Sequence, residues 1–537
     1  MVPESLFLGH DNVLPLLRAN YVPSATEKAS FAEAVPKCED RLATLEGEML
    51  LLQARLDRLV CERQAIDDAL QCGKSLLSPI RRVPAEVLAE IFLFSSSPTF
   101  LNDSDDGLFS LMPSKKLSRN AAPLVLLQIC KYWRDVALQT PRLFTRFILK
   151  GAALNINPLE ILSLCINSSR SLPLQIYLQP TTYWKLPDSA MSSFLKNIRS
   201  TIQRVTTFVF RFGSFLPVLF PPGTHVELPA LRQLALIKDF DWRVISDLSP
   251  LTVIGNVVAT RVVEALIELD FDWSKFIRFG DSLRYIKFNI SGPTPNVALH
   301  AILIRSPNLE KCEITYRDTR PGENLLILAE HITLPHLTKF TLKYEGLRFL
   351  GDILRHLFTP KLEELSIFCK NRRHVPEDEN LLPWIVEWMQ NSRPNLHKFV
   401  IAAGELEFDT DHVHDLLELL PTLQIFESIQ GIWSSDAICP FDRSFYPEIC
   451  PILTELRFRQ SRVRLSAIMD AVLSRAIRFE GAETLPLLQK LSLQYMRWCQ
   501  EGGEGMSDAL AVEVLRNFKA RHPEIEFKGR SRGGVVI

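Results

Sequence analysis

The sequence predicts an α+β chain in which a long heptad-patterned helix and a helical hairpin precede an irregular α/β solenoid. Three observations predict this. Apolar residues recur at alternating steps of three and four from Val35 to Leu70. A proline-initiated amphipathic segment at 84–92 is followed by a second apolar segment of helical period at 125–137. A short phrase, often Pro-x-Leu-x-x-apolar-x-apolar, recurs through the C-terminal two-thirds. The chain has 537 residues, 47% apolar and 23% charged, which is globular composition in more than one ordinary core.

Residues 1–23 lack a sustained period and read as a flexible arm. Ser24-Ala25-Thr26-Glu27 fits a capping box, so a helix is expected over 24–75, kinked or restarted at Pro36 and stopped by Gly73. Its seam is Val35, Cys38, Leu42, Leu45, Met49, Leu52, Leu56, Leu59, Ile66 and Leu70, a 3.5-residue period typical of a coiled coil. Arg63 is the one polar seam residue, and a charge there must snorkel or pair. Two readings stand: self-association through residues 35–70, parallel or antiparallel, or packing of the seam on the chain's own helices.

Pro84 suits the start of a helix, where its missing N–H costs nothing. Val87, Leu88, Ile91 and Phe92 then share one helical face. A polar loop is expected over 96–121. Pro123 opens a second helix bearing Val125, Leu126, Ile129, Cys130, Trp133, Val136 and Ala137, which Thr140-Pro141 ends. Leu143, Phe144, Phe147, Ile148 and Leu149 follow as an apolar strap.

The run Ser78-Pro79-Ile80-Arg81-Arg82-Val83-Pro84-Ala85-Glu86 and the stretch from Cys130-Lys131-Tyr132-Trp133-Arg134 to Leu143 resemble the F-box family. In detail they resemble its expanded form in mushroom-forming fungi, where a heptad helix precedes the motif. The resemblance implies that 76–150 form a small helical module docking a Skp-type adaptor of a cullin–RING ubiquitin ligase. The residues it marks are Pro79, Ile80, Val83, Pro84, Val87, Leu88, Ile91, Phe92, Cys130 and Trp133. Pro79, Ile80 and Pro84 would lie at the adaptor surface, and Trp133 would lock the module's own core. Val83 stands where the family has leucine, and the polar insertion lengthens the module. A plain helical hairpin without a partner is the alternative.

The repeated phrase has lead leucines at 231, 283, 309, 337, 362, 396, 423, 453 and 488, at steps of 25–35 residues after Leu283. The longer step after Leu231 leaves room for a further copy near Pro250-Leu251. Period and phrase resemble leucine-rich repeats and imply a solenoid over 151–527 with a parallel sheet on its concave face, followed by a flexible tail at 528–537. Leu-x-x-Leu-x-Leu turns alternate strand residues inward. Between them, Tyr285, Lys287, Lys311, Lys339, Lys343, Lys398, Arg457 and Lys490 are expected on the open face, with the acids Glu313, Glu364 and Glu455. Cations outnumber acids there, which suits a protein target with acidic or phosphorylated segments. A merely solvated strand face is the alternative.

No Walker A, Gly-x-Gly-x-x-Gly or Gly-x-Ser-x-Gly motif occurs, so no enzyme, cofactor or small-molecule substrate is expected. Ten scattered cysteines form no Cys-x-x-Cys pair and read as thiols of a reducing compartment. Asp409 to Asp415, with His412 and His414, is the densest candidate for a metal, but the two histidines diverge on a helix, and no metal is expected. Net charge is −1 and no long apolar run is present, so neither nucleic acid nor membrane is indicated. Cytoplasm or nucleus is the expected location. The expected function is the substrate-recognition subunit of a ubiquitin ligase, or a protein-interaction scaffold outside any ligase.

Overall fold

The structure is a computed structural model. It describes residues 18–19, 21–96, 122–150, 158–179, 188–210, 219–237 except 222, 256–268, 277–291, 295–317, 331–344, 353–369, 382–402, 407–476 except 409, 487–499 and 507–530. The chain divides into two units, Met1–Leu88 and Ala89–Ile537.

The first unit is dominated by one helix, Ala25–Leu77, 53 residues and about 80 Å long. It opens with the expected capping box: the Ser24 N–H donates to Glu27 Oε2 at 2.8 Å, and the Glu27 N–H donates to Ser24 Oγ at 3.4 Å. Pro36 does not end it. The residues there are exposed, so the carbonyl that proline leaves without a donor is not shut away from solvent and the break is cheap. Gly73 does not end it either. The stop comes at Ser78 (φ −58°, ψ 128°), because the residue before a proline is driven out of the helical region. A 3₁₀ turn, Pro79–Arg82, follows. Pro84 then offers its carbonyl to the Leu88 N–H at 2.9 Å and so starts the helix Ala85–Ser96.

The second unit is built on a sheet of fourteen parallel strands in strict chain order. They are Arg146–Lys150, Leu174–Gln179, Val205–Phe210, Gln233–Ile237, Glu264–Glu268, Tyr285–Ser291, Lys311–Arg317, Lys339–Tyr344, Glu364–Cys369, Lys398–Ala402, Ile425–Ile429, Glu455–Arg459, Lys490–Gln494 and Glu526–Arg530. Each copy therefore pairs with the next, which makes a leucine-rich-repeat-like solenoid. All nine lead leucines stand two residues before a strand and are at most 2% exposed. The phrase recurs because each copy needs one apolar anchor beneath the turn that enters its strand.

The copy expected near Pro250-Leu251 lies elsewhere; those two residues fall outside the described ones. Its strand is Glu264–Glu268, and Val262, fully buried, takes the lead position. The sheet also begins earlier than expected. Phe147, placed in a strap, belongs to the first strand, which pairs with Leu174–Gln179. At the other end, Lys528–Arg530 lie in the last strand.

Helices such as Leu382–Ser392, Thr410–Glu418, Leu465–Ala476 and Asp508–Arg521 return the chain between strands. In three successive copies the strand leaves through a left-handed residue: Gln430 (φ 59°), Gln460 (φ 53°) and Tyr495 (φ 56°). Each of their N–H groups donates to the last strand carbonyl of the following copy, at Arg459, Gln494 and Arg530, at 2.7–2.9 Å. Beyond these turns runs a narrow second parallel sheet of Glu407–Phe408, Ile432–Trp433, Arg462–Arg464 and Arg497–Cys499. Phe408 stacks on Trp433 at 4.2 Å, and Phe426, Phe441 and Phe458 close around that indole.

Arg475 is buried and donates to the carbonyls of Phe441, Cys450 and Ile449 at 2.6–2.9 Å. Burial lowers its pKa to about 10, so at neutral pH it remains a cation that ties three loop carbonyls together.

Candidate functional site

The helical segment expected over 123–139 is broken at Cys130, giving Ala122–Ile129 and Lys131–Leu138. Cys130 is extended (φ −159°, ψ 168°), and its Sγ accepts the Trp133 N–H at 3.4 Å. The Cys-x-x-Trp spacing is thus an N-cap with its N3 residue. Trp133 is half-buried, with its ring 4.9 Å from that of Phe92.

The motif residues fall into two sets. Leu88 and Phe92 are 0% and 1% exposed, so they are interior side chains and offer no docking surface. This corrects the expectation that Val87, Leu88, Ile91 and Phe92 share one face: a helix with one buried stripe turns Leu88 and Phe92 inward and Val87 and Ile91 out. Pro79, Ile80, Pro84, Val87 and Ile91 are exposed, and Val83 is half-buried. Phe94, 83% exposed, is also outward but was not singled out in the sequence, and Val125 and Ile129 of the second helix are about half exposed. The signal for Phe94 was its spacing, i+7 from Val87 and i+3 from Ile91. The polar loop lies outside the described residues beyond Ser96.

On the open face of the main sheet, strand register sets residues side by side. Lys339–Tyr344 and Glu364–Cys369 alternate half-buried and buried positions, so Lys339, Thr341, Lys343, Glu364 and Ser366 share the open side as expected. The cations there are engaged. Glu313 receives Lys287 Nζ at 2.6 Å and Lys343 Nζ at 2.8 Å. Lys339 pairs with Glu364 at 3.2 Å. Arg457 meets Glu455 at 2.7 Å and Glu427 at 3.3 Å, and Lys490 meets Glu455 at 2.8 Å. Glu427, which sequence reasoning passed over, also takes Arg459 at 3.3 Å. Tyr285 packs against an apolar group made of Tyr177, Val209, Ala235, Ile237 and Leu266. Lys311 and Lys398 lie on the same column, and neither has an ion-pair partner among the described residues.

The paired carboxylates are held in the ionised form. Burial opposes ionisation of Glu313, but the hydrogen bonds and charges of Lys287 and Lys343 outweigh it and lower its pKa. At Glu455 burial is likewise outweighed by Arg457 and Lys490.

His414, Asp415 and Glu418 bring their ligand atoms within 4.8 Å of one another on an accessible helix. The His414 ring stands edge-on to Tyr446 at 5.0 Å, a packing contact. Trp388 is fully buried and meets Phe340 edge-on at 5.8 Å, while Trp384 is half-buried. No helix among the described residues is long and apolar enough to cross a membrane.

No known family model matches the chain, and no curated protein does. Solved structures are similar to it, two of which follow. One, a TLR13–ssRNA13 complex, shares 14% identity over 64% of this chain and 44% of that chain, with a TM-score of 0.30. The other, an internalin (inlF) from Listeria monocytogenes, shares 13% identity over 70% of this chain and 81% of that chain, with a TM-score of 0.26. The chain thus spans under half the length of the first protein it matches.

Proposed function

We propose that the chain is a non-catalytic receptor that holds two proteins together. In this reading the F-box-like hairpin docks a Skp-type adaptor of a cullin–RING ubiquitin ligase, and the solenoid holds a protein target for ubiquitination. The observation that supports it best is the division of the motif residues. Leu88 and Phe92 maintain the fold, while Pro79, Ile80, Pro84, Val87 and Ile91 remain at the surface, an apolar set of the kind a partner can cover. Lys311 and Lys398 are the cations available to an acidic target segment.

The test is a pull-down of the full chain with a purified Skp-type adaptor, wild type beside Ile80→Asp/Ile91→Asp. Retained binding by the variant, or no binding by a folded wild type, ends the adaptor reading. Lys311→Glu/Lys398→Glu should keep adaptor binding and lose the target. The second reading is an interaction scaffold outside any ligase. The long helix favours it, because a helix of 53 residues with none buried is built to meet something.

A further inference from the structure

The seam of the helix Ala25–Leu77 is uncovered: none of its residues is buried, and Leu42, Met49, Leu52, Leu56 and Ile66 are all well exposed. Setting Val35 as position a of the heptad places Leu42, Met49, Leu56, Arg63 and Leu70 at a. Cys38, Leu45, Leu52, Leu59 and Ile66 then fall at d. Position g then reads Ala34, Arg41, Glu48, Arg55, Glu62 and Ala69, with charges alternating in sign from one heptad to the next. None of these four charges has an ion-pair partner among the described residues. Residues seven apart lie roughly 10 Å apart along a helix and do not neutralise each other. Outer-face groups are served within the helix instead, as in Lys37–Glu33 and Gln64–Asp68.

We infer that this helix pairs with the same helix of a second copy, antiparallel and in one register, with the symmetry axis between Leu50 and Leu51. In that register Met49 faces Leu52 of the second copy, Leu42 faces Leu59, and Val35 faces Ile66, each an a-to-d layer. Antiparallel helices juxtapose g with g. Glu48 then meets Arg55 and Arg41 meets Glu62, and the two-fold axis repeats each pair, giving four attractive contacts. Sliding by one heptad either way sets Glu48 against Glu48 or Glu62, and Arg55 against Arg55 or Arg41. The alternating signs therefore select one register.

Parallel pairing is disfavoured in the seam. It would place Arg63 against Arg63 there, while on the flanks Arg41 against Glu46 would offset Glu62 against Asp67. The antiparallel register instead puts Arg63 opposite Cys38, with Glu39 beside it. The seam arginine thereby sets direction, a use of a polar seam residue known in coiled coils.

The test is sedimentation of the full chain at low salt over a roughly hundredfold range of concentration. The wild type should be a dimer. Glu48→Arg and Arg55→Glu, each converting two attractive contacts to repulsive ones, should each raise the dimer Kd about tenfold or more. Glu48→Arg/Arg55→Glu should return it close to the wild-type value. All these positions are exposed, so folding is kept, and circular dichroism checks it. A monomeric wild type, single reversals without effect, or a double variant as weak as the singles overturns the inference. Arg63→Cys, with Cys61→Ser and Cys72→Ser, gives an independent reading. Mild oxidation should join position 63 to Cys38 of the second copy, and a bond between the two positions 63 would mean parallel chains and overturn it.

Discussion

Replacing Glu313 by glutamine keeps the side-chain shape and removes one charge from a group of three. The Lys343 side chain is 44% exposed and recovers its hydration, so its loss is at most about 1 kcal/mol. The Lys287 side chain is 10% exposed, beside a carboxylate side chain that is itself 16% exposed, and its ammonium loses that carboxylate's charge. A charge-assisted hydrogen bond contributes about 1.5–3 kcal/mol. Together these give a destabilisation of about 2–3 kcal/mol for Glu313→Gln. Lys287→Met/Glu313→Gln, which removes both charges of the buried pair, should recover most of it. A solenoid does not always unfold in one step, so the urea midpoint should be paired with hydrogen exchange on Tyr285–Ser291 and Lys311–Arg317. A single variant within about 0.5 kcal/mol of wild type, or a double variant worse than the single, would refute the reasoning.

Acid should act through the same carboxylates. Their folded pKa values are lowered, so their stabilisation is complete above the unfolded carboxylate range, about pH 4.3, and is lost as pH falls through the folded values. The urea midpoint of the wild type should fall there, and more shallowly in Glu313→Gln. Cys130→Ser places a stronger acceptor at the N-cap and should stabilise the hairpin by about 0.5 kcal/mol, seen as a higher thermal midpoint. Gly431→Ala would put a methyl carbon 2.5 Å from a ring carbon of Phe408 and 2.8 Å from Trp433 Nε1. It should cost about 1–3 kcal/mol in urea titration.

Much of the solenoid was legible because each copy repeats one physical need, a leucine beneath the strand entry. Where another residue meets that need, legibility failed. Val262 fills the site as well as leucine, but it follows Arg261 rather than the proline phrase, and the strand Glu264–Glu268 passed unnoticed. The strands from Arg146 to Phe210 lack the phrase altogether. The start of the long helix was legible because a capping box is local, whereas its end depended on a proline outranking a glycine. At the open face, composition identified the lysines and arginines. Their neutralisation by Glu313 and Glu427 depends on pairing across strands about thirty residues apart, which register alone reveals. The hairpin's motif was legible, but the direction of each side chain was not, and so the buried Leu88 and Phe92 were grouped on one face with the exposed Val87 and Ile91.

The left-handed turns at Gln430, Gln460 and Tyr495 bear on how such a chain can change over generations. Each turn clasps the copy that follows, so one residue gained or lost between a lead leucine and its turn would unhook two copies at once. Spacing between copies already ranges over ten residues, so insertions and deletions are absorbed there. Length thus varies in the returns while the strand-and-turn block stays fixed. Among the outward strand positions, those outside the ion-pair groups, such as Lys311 and Lys398, are free of both constraints and are where point substitution can alter the open face without renegotiating the scaffold.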